Sequence, residues 1–436
     1  MSKPMVAIVG RQNVGKSTLL NRLAGRQIAI VEDLPGTTRD RIFATVSWEG
    51  AEFTLVDTGG LELKPETAIA QKVGEQVKTA ITDADVIIFV VDAKDGIIAA
   101  DLEISDMLRQ TNKPVILVAN KADNARLEAE ASEFYALGLG EPLAASAYHG
   151  RGIAELLDKV SALLPEQQAV EAVPEAMKLA IVGRPNVGKS TLLNAIVGEE
   201  RAVVDATPGT TRDAVDTLFD FEGQSVLLID TGGIRRPGRL GGVERYTVIR
   251  ALRAIERADV VLLVLDATEL VTAQDMHIAG YIQRAERGIV LVVNKWDLAA
   301  DRGAASYEKQ VRRQLKFLSY APVLYTSAKL GQGVDSVIPR ARQVYQERGR
   351  RLPANVVNDV VQQAVTAHSP PRIGSKRLRV LSATQSGVSP PTFVFLVNDP
   401  RLVHFSYRRF LENRLREAFG FTGNPFRLIF KTRSES

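Results

Sequence analysis

Apolar residues in this chain fall in short runs of strand length, such as Val6–Val9, Phe53–Val56, Val86–Val91 and Val115–Ala119, separated by longer stretches of helical spacing. Continuous apolar runs between polar turns fit strands buried on both faces. Their alternation with helices predicts an α/β fold, a parallel-rich sheet flanked by helices. Ligands of such sheets bind beyond the carboxyl ends of the strands. No run approaches the ~20 residues of a membrane-spanning helix. Met1 to Met5 lead straight into the first run without the apolar core of a secretory signal, so a cytoplasmic location and no membrane partner are expected.

The pattern occurs twice. VAIVGRQNVGKSTLLN at 6–21 returns as LAIVGRPNVGKSTLLN at 179–194, and PGTTRD at 35–40 returns at 208–213. VDTGGL (56–61) pairs with IDTGGI (229–234), NKAD (120–123) with NKWD (294–297), and ASA (145–147) with TSA (326–328). The offset is 173 for the first three pairs, 174 for the fourth and 181 for the last. So steady a spacing predicts two complete domains of one fold in tandem. A polar, acidic segment bracketed by Pro165 and Pro174 reads as a linker between them. The expected division is residues 1–165, a linker at 166–176, a second copy at 177–348 and a further domain at 349–436.

The 436 residues suffice for about three domains. The absence of cysteine excludes disulfides, thiolate metal sites and cysteine nucleophiles. Charge is uneven: residues 348–436 hold 15 Lys and Arg against 5 Asp and Glu, and the preceding residues hold 40 against 46. An acidic body thus carries a basic tail domain, a balance suited to nucleic acid. His149, His277, His368 and His404 are scattered without ligand spacing and are expected to hold no metal.

Gly10-Arg11-Gln12-Asn13-Val14-Gly15-Lys16-Ser17 follows a strand and opens a helix, the setting of a phosphate loop, and Gly183-Arg184-Pro185-Asn186-Val187-Gly188-Lys189-Ser190 repeats it. Glycines let backbone N–H groups turn onto the phosphates at the positive end of a helix. Lys16 and Lys189 would reach the β- and γ-phosphates, and Ser17 and Ser190 would offer hydroxyls to Mg²⁺. Asp57-Thr58-Gly59-Gly60-Leu61 and Asp230-Thr231-Gly232-Gly233-Ile234 end apolar strands. A carboxylate there can hold Mg²⁺ through water, and the glycines allow a backbone N–H to approach the γ-phosphate.

Asn120-Lys121-Ala122-Asp123 and Asn294-Lys295-Trp296-Asp297 carry the base choice. A carboxylate accepts both N1–H and the 2-amino group of guanine, whereas adenine offers neither donor and leaves the acid unpaired. GTP is therefore expected over ATP.

Together these motifs resemble the five signatures of the translation-factor-like GTPases, twice over. The tandem arrangement with a basic C-terminal domain resembles the bacterial Der (EngA) GTPase family across essentially the whole chain. The resemblance implies a GTP-binding and GTP-hydrolysing switch acting on the large ribosomal subunit or its precursor and its rRNA, as a monomer. It implies that Thr38 and Thr211, or their neighbours Thr37 and Thr210, complete the Mg²⁺ shell, and that Ser146-Ala147 and Ser327-Ala328 approach guanine O6 through backbone N–H. A GTPase partner in RNA modification and a GTP-dependent RNA-binding scaffold stay open as alternatives.

Hydrolysis in such proteins often uses a glutamine directly after D-x-x-G to position the water. Leu61 and Ile234 stand there and cannot hydrogen-bond it, so intrinsic turnover is expected to be slow, and no catalytic residue is assigned. Families with this substitution resemble one another in using K⁺ near the phosphates, held by a phosphate-loop asparagine that Asn13 and Asn186 match. A side chain that merely stabilises the loop turn is the alternative. The segment 234–253 carries Arg235, Arg236, Arg239, Arg245, Arg250 and Arg253, against no arginine in its counterpart 61–80. It could order on RNA phosphates, supply charge to the transition state, or simply be a solvated loop.

In the tail, a helix over 354–367, strands over 378–385 and 392–397, a helix over 407–419 and a strand over 426–431 predict a small α+β unit, which resembles a KH-like domain. Lys376, Arg377, Arg379, Arg401, Arg408, Arg409, Arg416, Arg427 and Lys431 are candidate partners of RNA phosphates. A KH domain clamps RNA with a G-x-x-G loop between two helices. Gly420-Phe421-Thr422-Gly423 has the letters but lies between helix and strand, so it is expected to be a helix cap and turn. The basic residues near 346–351 read as a hinge.

Overall fold

The computed structural model describes residues 3–25, 43–57, 81, 84–165, 176–198, 203–204, 216–231, 248–299, 303–370, 372–373 and 376–432. The first unit holds strands β1 (Met5–Val9), β2 (Phe43–Trp48), β3 (Ala51–Asp57), β4 (Val86–Asp92), β5 (Val115–Asn120) and β6 (Leu143–Ala144), with helices α1 (Lys16–Ala24), α2 (Ala99–Arg109), α3 (Ala125–Glu130) and α4 (Ile153–Leu163). Its sheet runs β2-β3-β1-β4-β5-β6. All pairings are parallel except β2 with β3, joined through Glu49 and Gly50 at φ 47° and 85°, the positive angles of a two-residue hairpin turn.

The middle strands read as continuous apolar runs because both faces are covered: every residue of β4 is buried. Leu19, Leu20 and Leu23 recur at helical spacing on α1 and pack, with Leu156, Leu157 and Val160 of α4, against Val6, Ile8, Val86 and Ile88.

The second unit repeats the plan with β7 (Met177–Val182), β8 (Val203–Val204), β9 (Thr217–Phe221), β10 (Gln224–Ile229), β11 (Val260–Asp266), β12 (Gly288–Asn294) and β13 (Val323–Tyr325), in the order β13-β12-β11-β7-β10-β9-β8. Glu222 and Gly223, at φ 50° and 78°, close the β9–β10 hairpin. Helices α5 (Lys189–Val197), α6 (Ala273–Arg284), α7 (Ala304–Gln314) and α8 (Val337–Gly349) belong to this domain.

The same unit continues into α9 (Ala354–Ala367), β14 (Arg372–Ile373), β15 (Lys376–Arg377), β16 (Val380–Gly387), β17 (Thr392–Val397), α10 (Phe405–Phe419) and β18 (Arg427–Lys431). Here β16 and β17 are antiparallel and β18 is parallel to β17. Val357, Val361, Phe393, Phe395, Leu411, Leu415 and Phe421 form the core between sheet and helices. The expected α-β-β-α-β order is present, with the β14–β15 hairpin added.

Residues 346–351 are part of a packed junction, in place of the expected hinge. α8 runs on to Gly349, Arg348 is buried, and the Arg350 guanidinium donates to Phe419 O. The G-x-x-G residues follow α10 as a cap and turn. Gly423 N–H donates to Tyr320 O (2.8 Å), Gly423 O accepts from Ile289 N–H of β12 (2.8 Å), and Asn424 Nδ2 donates to Val344 O (2.9 Å). The loop therefore docks on the preceding domain. Among the described residues, no helix is long and apolar enough to cross a membrane.

Candidate nucleotide-binding sites

Three of the repeated motifs sit at the carboxyl ends of strands: the phosphate loops after β1 and β7, Asp57 ending β3 and Asp230 just past β10, and Asn120 and Asn294 ending β5 and β12; the P-G-T-T-R-D segments lie outside the described residues. Asn13 and Gly15, at φ 65° and 93°, curl the first loop, and Asn186 and Gly188, at 64° and 93°, repeat it. A Cβ on Gly15 would lie 2.4 Å from Asn120 Nδ2, so only glycine fits beneath that amide. Lys16 Nζ donates to Gly10 O (2.8 Å) and Arg11 O (2.6 Å), and Lys189 Nζ to Arg184 O (2.8 Å). The ammonium is held over the loop where phosphate oxygens would take it. Burial lowers the Lys16 pKa, and Asp57 partly offsets that.

Ser17 Oγ donates to Asp57 Oδ2 at 2.6 Å. A hydroxyl and a carboxylate side by side at a phosphate loop are hard oxygen donors, the set Mg²⁺ takes alongside phosphates and water, so the residues fit that ion. The second domain differs: Asp230 has φ 58° and its N–H donates to Asp216 Oδ1 (3.0 Å), while Asp216 also receives the Arg257 guanidinium. Thr231 and Thr217 share a hydroxyl hydrogen bond of 2.8 Å.

The asparagines act as struts. Asn120 Nδ2 donates to Val14 O (2.8 Å) and Oδ1 accepts from Ala147 N–H (3.0 Å), tying the phosphate loop to the Ser-Ala loop. Asn294 does the same with Val187 O (2.9 Å) and Ala328 N–H (3.0 Å). Lys121 and Lys295, both at positive φ, reach back to the strand-end carboxylates Asp92 (2.5 Å) and Asp266 (2.6 Å). Asp123 accepts from Ser146 Oγ (2.7 Å) and Lys94 Nζ (2.6 Å). Lys94 and then Ser146 hold its carboxyl below the usual range. Asp297 is exposed, Ser327 Oγ is buried without a hydrogen-bond partner among the described residues, and Trp296 packs on Tyr307 and Tyr325. Ala122 is buried beneath the first site.

Asn13, Gln12 and Asn186 are exposed on the rims of their loops, while Arg11 and Arg184 turn away to acidic residues ahead of α2 and α6. Thr37, Thr38, Thr58, Gly59, Gly60, Leu61, Thr210, Thr211, Gly232, Gly233 and Ile234 lie outside the described residues, as do Arg235, Arg236, Arg239 and Arg245. Lys94, Asp92, Asp266, Asp101 and Asp275 lie outside the sequence motifs. Asp92 and Asp266 were visible as repeat partners 174 apart, but nothing in one strand end announces which lysine it will meet.

In the C-terminal domain the candidate cations divide. Arg416 stacks on Tyr320 (4.2 Å) and Phe426 (4.1 Å), pairs with Glu412 (2.9 Å) and donates to Asn424 O. Arg427 pairs with Glu286, and Arg401 forks onto Asp399. Lys376, Arg377, Arg379 and Arg409 remain on the surface.

Two phosphate loops, each tied by the asparagine of an N-K-x-D turn to a Ser-Ala loop, define a protein with tandem P-loop GTPase domains. The family described as "50S ribosome-binding GTPase" matches residues 5–121 and again 178–295, and the "KH-domain-like of EngA bacterial GTPase enzymes, C-terminal" matches 351–431. GTPase Der of Thermomicrobium roseum is 50% identical over 448 residues, covering 100% of this chain and 97% of that protein. GTPase Der of Desulfitobacterium hafniense is 51% identical over 439 residues (100% and 99%), and that of Geobacillus thermodenitrificans 48% over 436 (99% and 100%). The chain belongs to the Der (EngA) family of GTPases: it binds GTP and GDP and hydrolyses GTP.

Proposed function

We propose that the protein is a cytoplasmic, monomeric GTPase switch that engages the large ribosomal subunit or its precursor and assists its maturation, through contacts with rRNA. The observation that carries this reading is the doubled guanine-nucleotide site joined in one chain to a basic KH-like domain, the architecture of the Der family. The domain limits we adopt are 1–165, 177–348 and 349–436, with 166–176 as linker.

In each site the phosphate-loop lysine, Lys16 or Lys189, would neutralise the β- and γ-phosphates, and Asp123 or Asp297 would select the base. Mg²⁺ supplies charge neutralisation between the phosphates when bound; Ser17 and Ser190, with Asp57 and Asp230, are the residues that would hold it, joined by a threonine of each P-G-T-T-R-D loop. With Leu61 and Ile234 beside D-x-x-G, K⁺ held by Asn13 and Asn186 would supply the further positive charge. Both side-chain amides are exposed and make no hydrogen bond among the described residues, so their oxygens are open to an ion.

The docked G-x-x-G turn argues that RNA is met by phosphate contacts and shape. Sedimentation with ribosomal subunits under a GTP analogue, GDP and no nucleotide tests the assignment. Co-migration with the large subunit in one nucleotide state is expected; absence from it in all three would overturn the reading.

A further inference from the structure

Behind each phosphate loop, the two domains share an ion pair between the loop's arginine and a buried aspartate that lies outside the five motifs. Arg11, the loop's second residue, sends Nη2 to Asp95 Oδ2 (2.6 Å) and faces Asp101 Oδ1 with Nε at 3.6 Å. Arg184 sends Nη1 to Glu269 Oε2 (2.6 Å) and faces Asp275 Oδ2 with Nε at 3.5 Å. Asp101 and Asp275 are both 0% exposed. Each sits in the first turn of its helix and accepts the N–H that closes the turn, from Ile98 (3.3 Å) and Thr272 (2.9 Å).

The reach back to the N-cap N–H does not require this charge, because a neutral amide oxygen at the third helical position serves as well. Burying a carboxylate against a guanidinium beyond hydrogen-bonding distance is costly, and Arg11 Nε, Asp101 Oδ1, Arg184 Nε and Asp275 Oδ1 all lack a hydrogen-bond partner among the described residues. Burial accordingly raises the carboxyl pKa at both aspartates. The flanking residues differ between the copies, Ile98 against Thr272 and Asp95 against Glu269, yet the buried pair is the same. Its other end is the phosphate loop itself: the carbonyls of Arg11 and Arg184 receive the loop lysines at 2.6 and 2.8 Å.

We infer that Asp101 and Asp275 are positioning residues that act through Arg11 and Arg184. They hold the second peptide of each phosphate loop, and with it Lys16 or Lys189, in register for the β-phosphate of a guanine nucleotide. The inference rests on reading these loops as GTP sites. It extends that reading to α2 and α6, which touch no part of the five motifs by sequence.

The test uses the full chain with Asp297→Asn, which fits the second site to xanthine's 2-oxo group, so that GDP reports on the first site. Binding of GDP to this background checks the site reading itself; its absence overturns both. Asp101→Asn keeps an oxygen for the helix cap and removes the charge. GDP affinity should fall about tenfold, as when a buried charge loses its partner. GMP, which lacks the β-phosphate, should change less than about twofold in millimolar competition, and the preference for GDP over IDP should stay. Arg11→Lys should give the same split if Asp101→Asn folds poorly, and Asp275→Asn in an Asp123→Asn background should reproduce it at the second site. Equal losses for GDP and GMP, or no loss of either, would refute the inference.

Discussion

Lys94 Nζ sits 2.6 Å from Asp123 Oδ2, so in the first domain the carboxylate proposed to select guanine already carries an ammonium. The second domain has Thr268 at the equivalent position, and its hydroxyl turns back onto Asp266 (2.7 Å). The backbone turn is shared, since Lys94 N–H and Thr268 N–H both donate to the strand-end aspartate (3.0 and 2.9 Å). Guanine must displace Lys94 or share the acid with it. Lys94→Thr should therefore slow GDP release from the first site by about two- to fivefold, the range of an exposed ion pair. The effect should fade above roughly 0.5 M KCl as screening removes the competition. Stopped-flow release of a fluorescent GDP analogue, with Asp297→Asn isolating the first site, measures it. Faster release in the variant would show that Lys94 helps to hold the base.

The same contact sets a pH dependence. Lys94, then Ser146, lowers the Asp123 pKa. A carboxyl lowered in the folded state contributes stability above its ordinary value and loses it as pH falls through the lowered one. GDP retention at the first site should thus be flat from pH 8 to about pH 5, the ordinary aspartate value being about 3.9. A midpoint near pH 6 in an equilibrium titration would contradict the assignment of Asp123.

Asn13 and Asn186 give a separable prediction for K⁺. Asn13→Ala should bring the ratio of first-site GTPase rates in KCl and NaCl to about one, while GDP affinity changes less than about threefold, because only charge developing in the transition state is lost. A retained KCl advantage would return the asparagine to a turn-forming role.

Much of this was legible because the chain states its pattern twice. The run at 86–91 became a strand almost residue for residue, since a parallel strand covered on both faces must be apolar throughout, and the run at 392–397 became one with alternate residues buried, one face on the core. The two-residue turns Glu49-Gly50 and Glu222-Gly223 were the visible but unread sign that β2 and β9 fold back antiparallel on β3 and β10. The strut role of Asn120 was not legible. It depends on Val14 and Ala147 arriving within 3 Å from distant parts of the sequence. Nor could Arg416 and Arg427 be told from surface cations, because their partners, Tyr320 and Glu286, belong to another domain.

Gly423 carries the junction between the C-terminal domain and its neighbour. It has φ 76°, and a Cβ there would lie 2.4 Å from Val344 Cγ2 and 2.9 Å from Ile289 O. Gly423→Ala combines a strained backbone with a steric conflict and should cost about 2–4 kcal/mol of the second unit's stability. GDP binding at the first site, followed well below the melting transition, should stay within about twofold of the parent. Differential scanning calorimetry separates the two outcomes, and an unchanged transition would mean that the turn does not bear on β12 in solution.

Arg348 offers the opposite expectation at the same junction. It is 2% exposed, and its Nε and Nη1 have no hydrogen-bond partner among the described residues. Burial first, and the like charge of Arg287 second, push it down to about 10, against the pull of Asp259 and Glu286. The unfolded chain, where an arginine titrates above 12, therefore binds this proton more tightly than the folded chain. Stability linked to the group rises only as pH climbs from about 10 upward, and at neutral pH the buried cation is a cost. Arg348→Met keeps the apolar stem and removes the charge, so it should be neutral or stabilising by up to about 2 kcal/mol, read as a higher urea midpoint at unchanged slope. A loss of more than about 1 kcal/mol would show that the acids around Arg348 depend on it, and that the junction is held by charge as well as by the Gly423 turn.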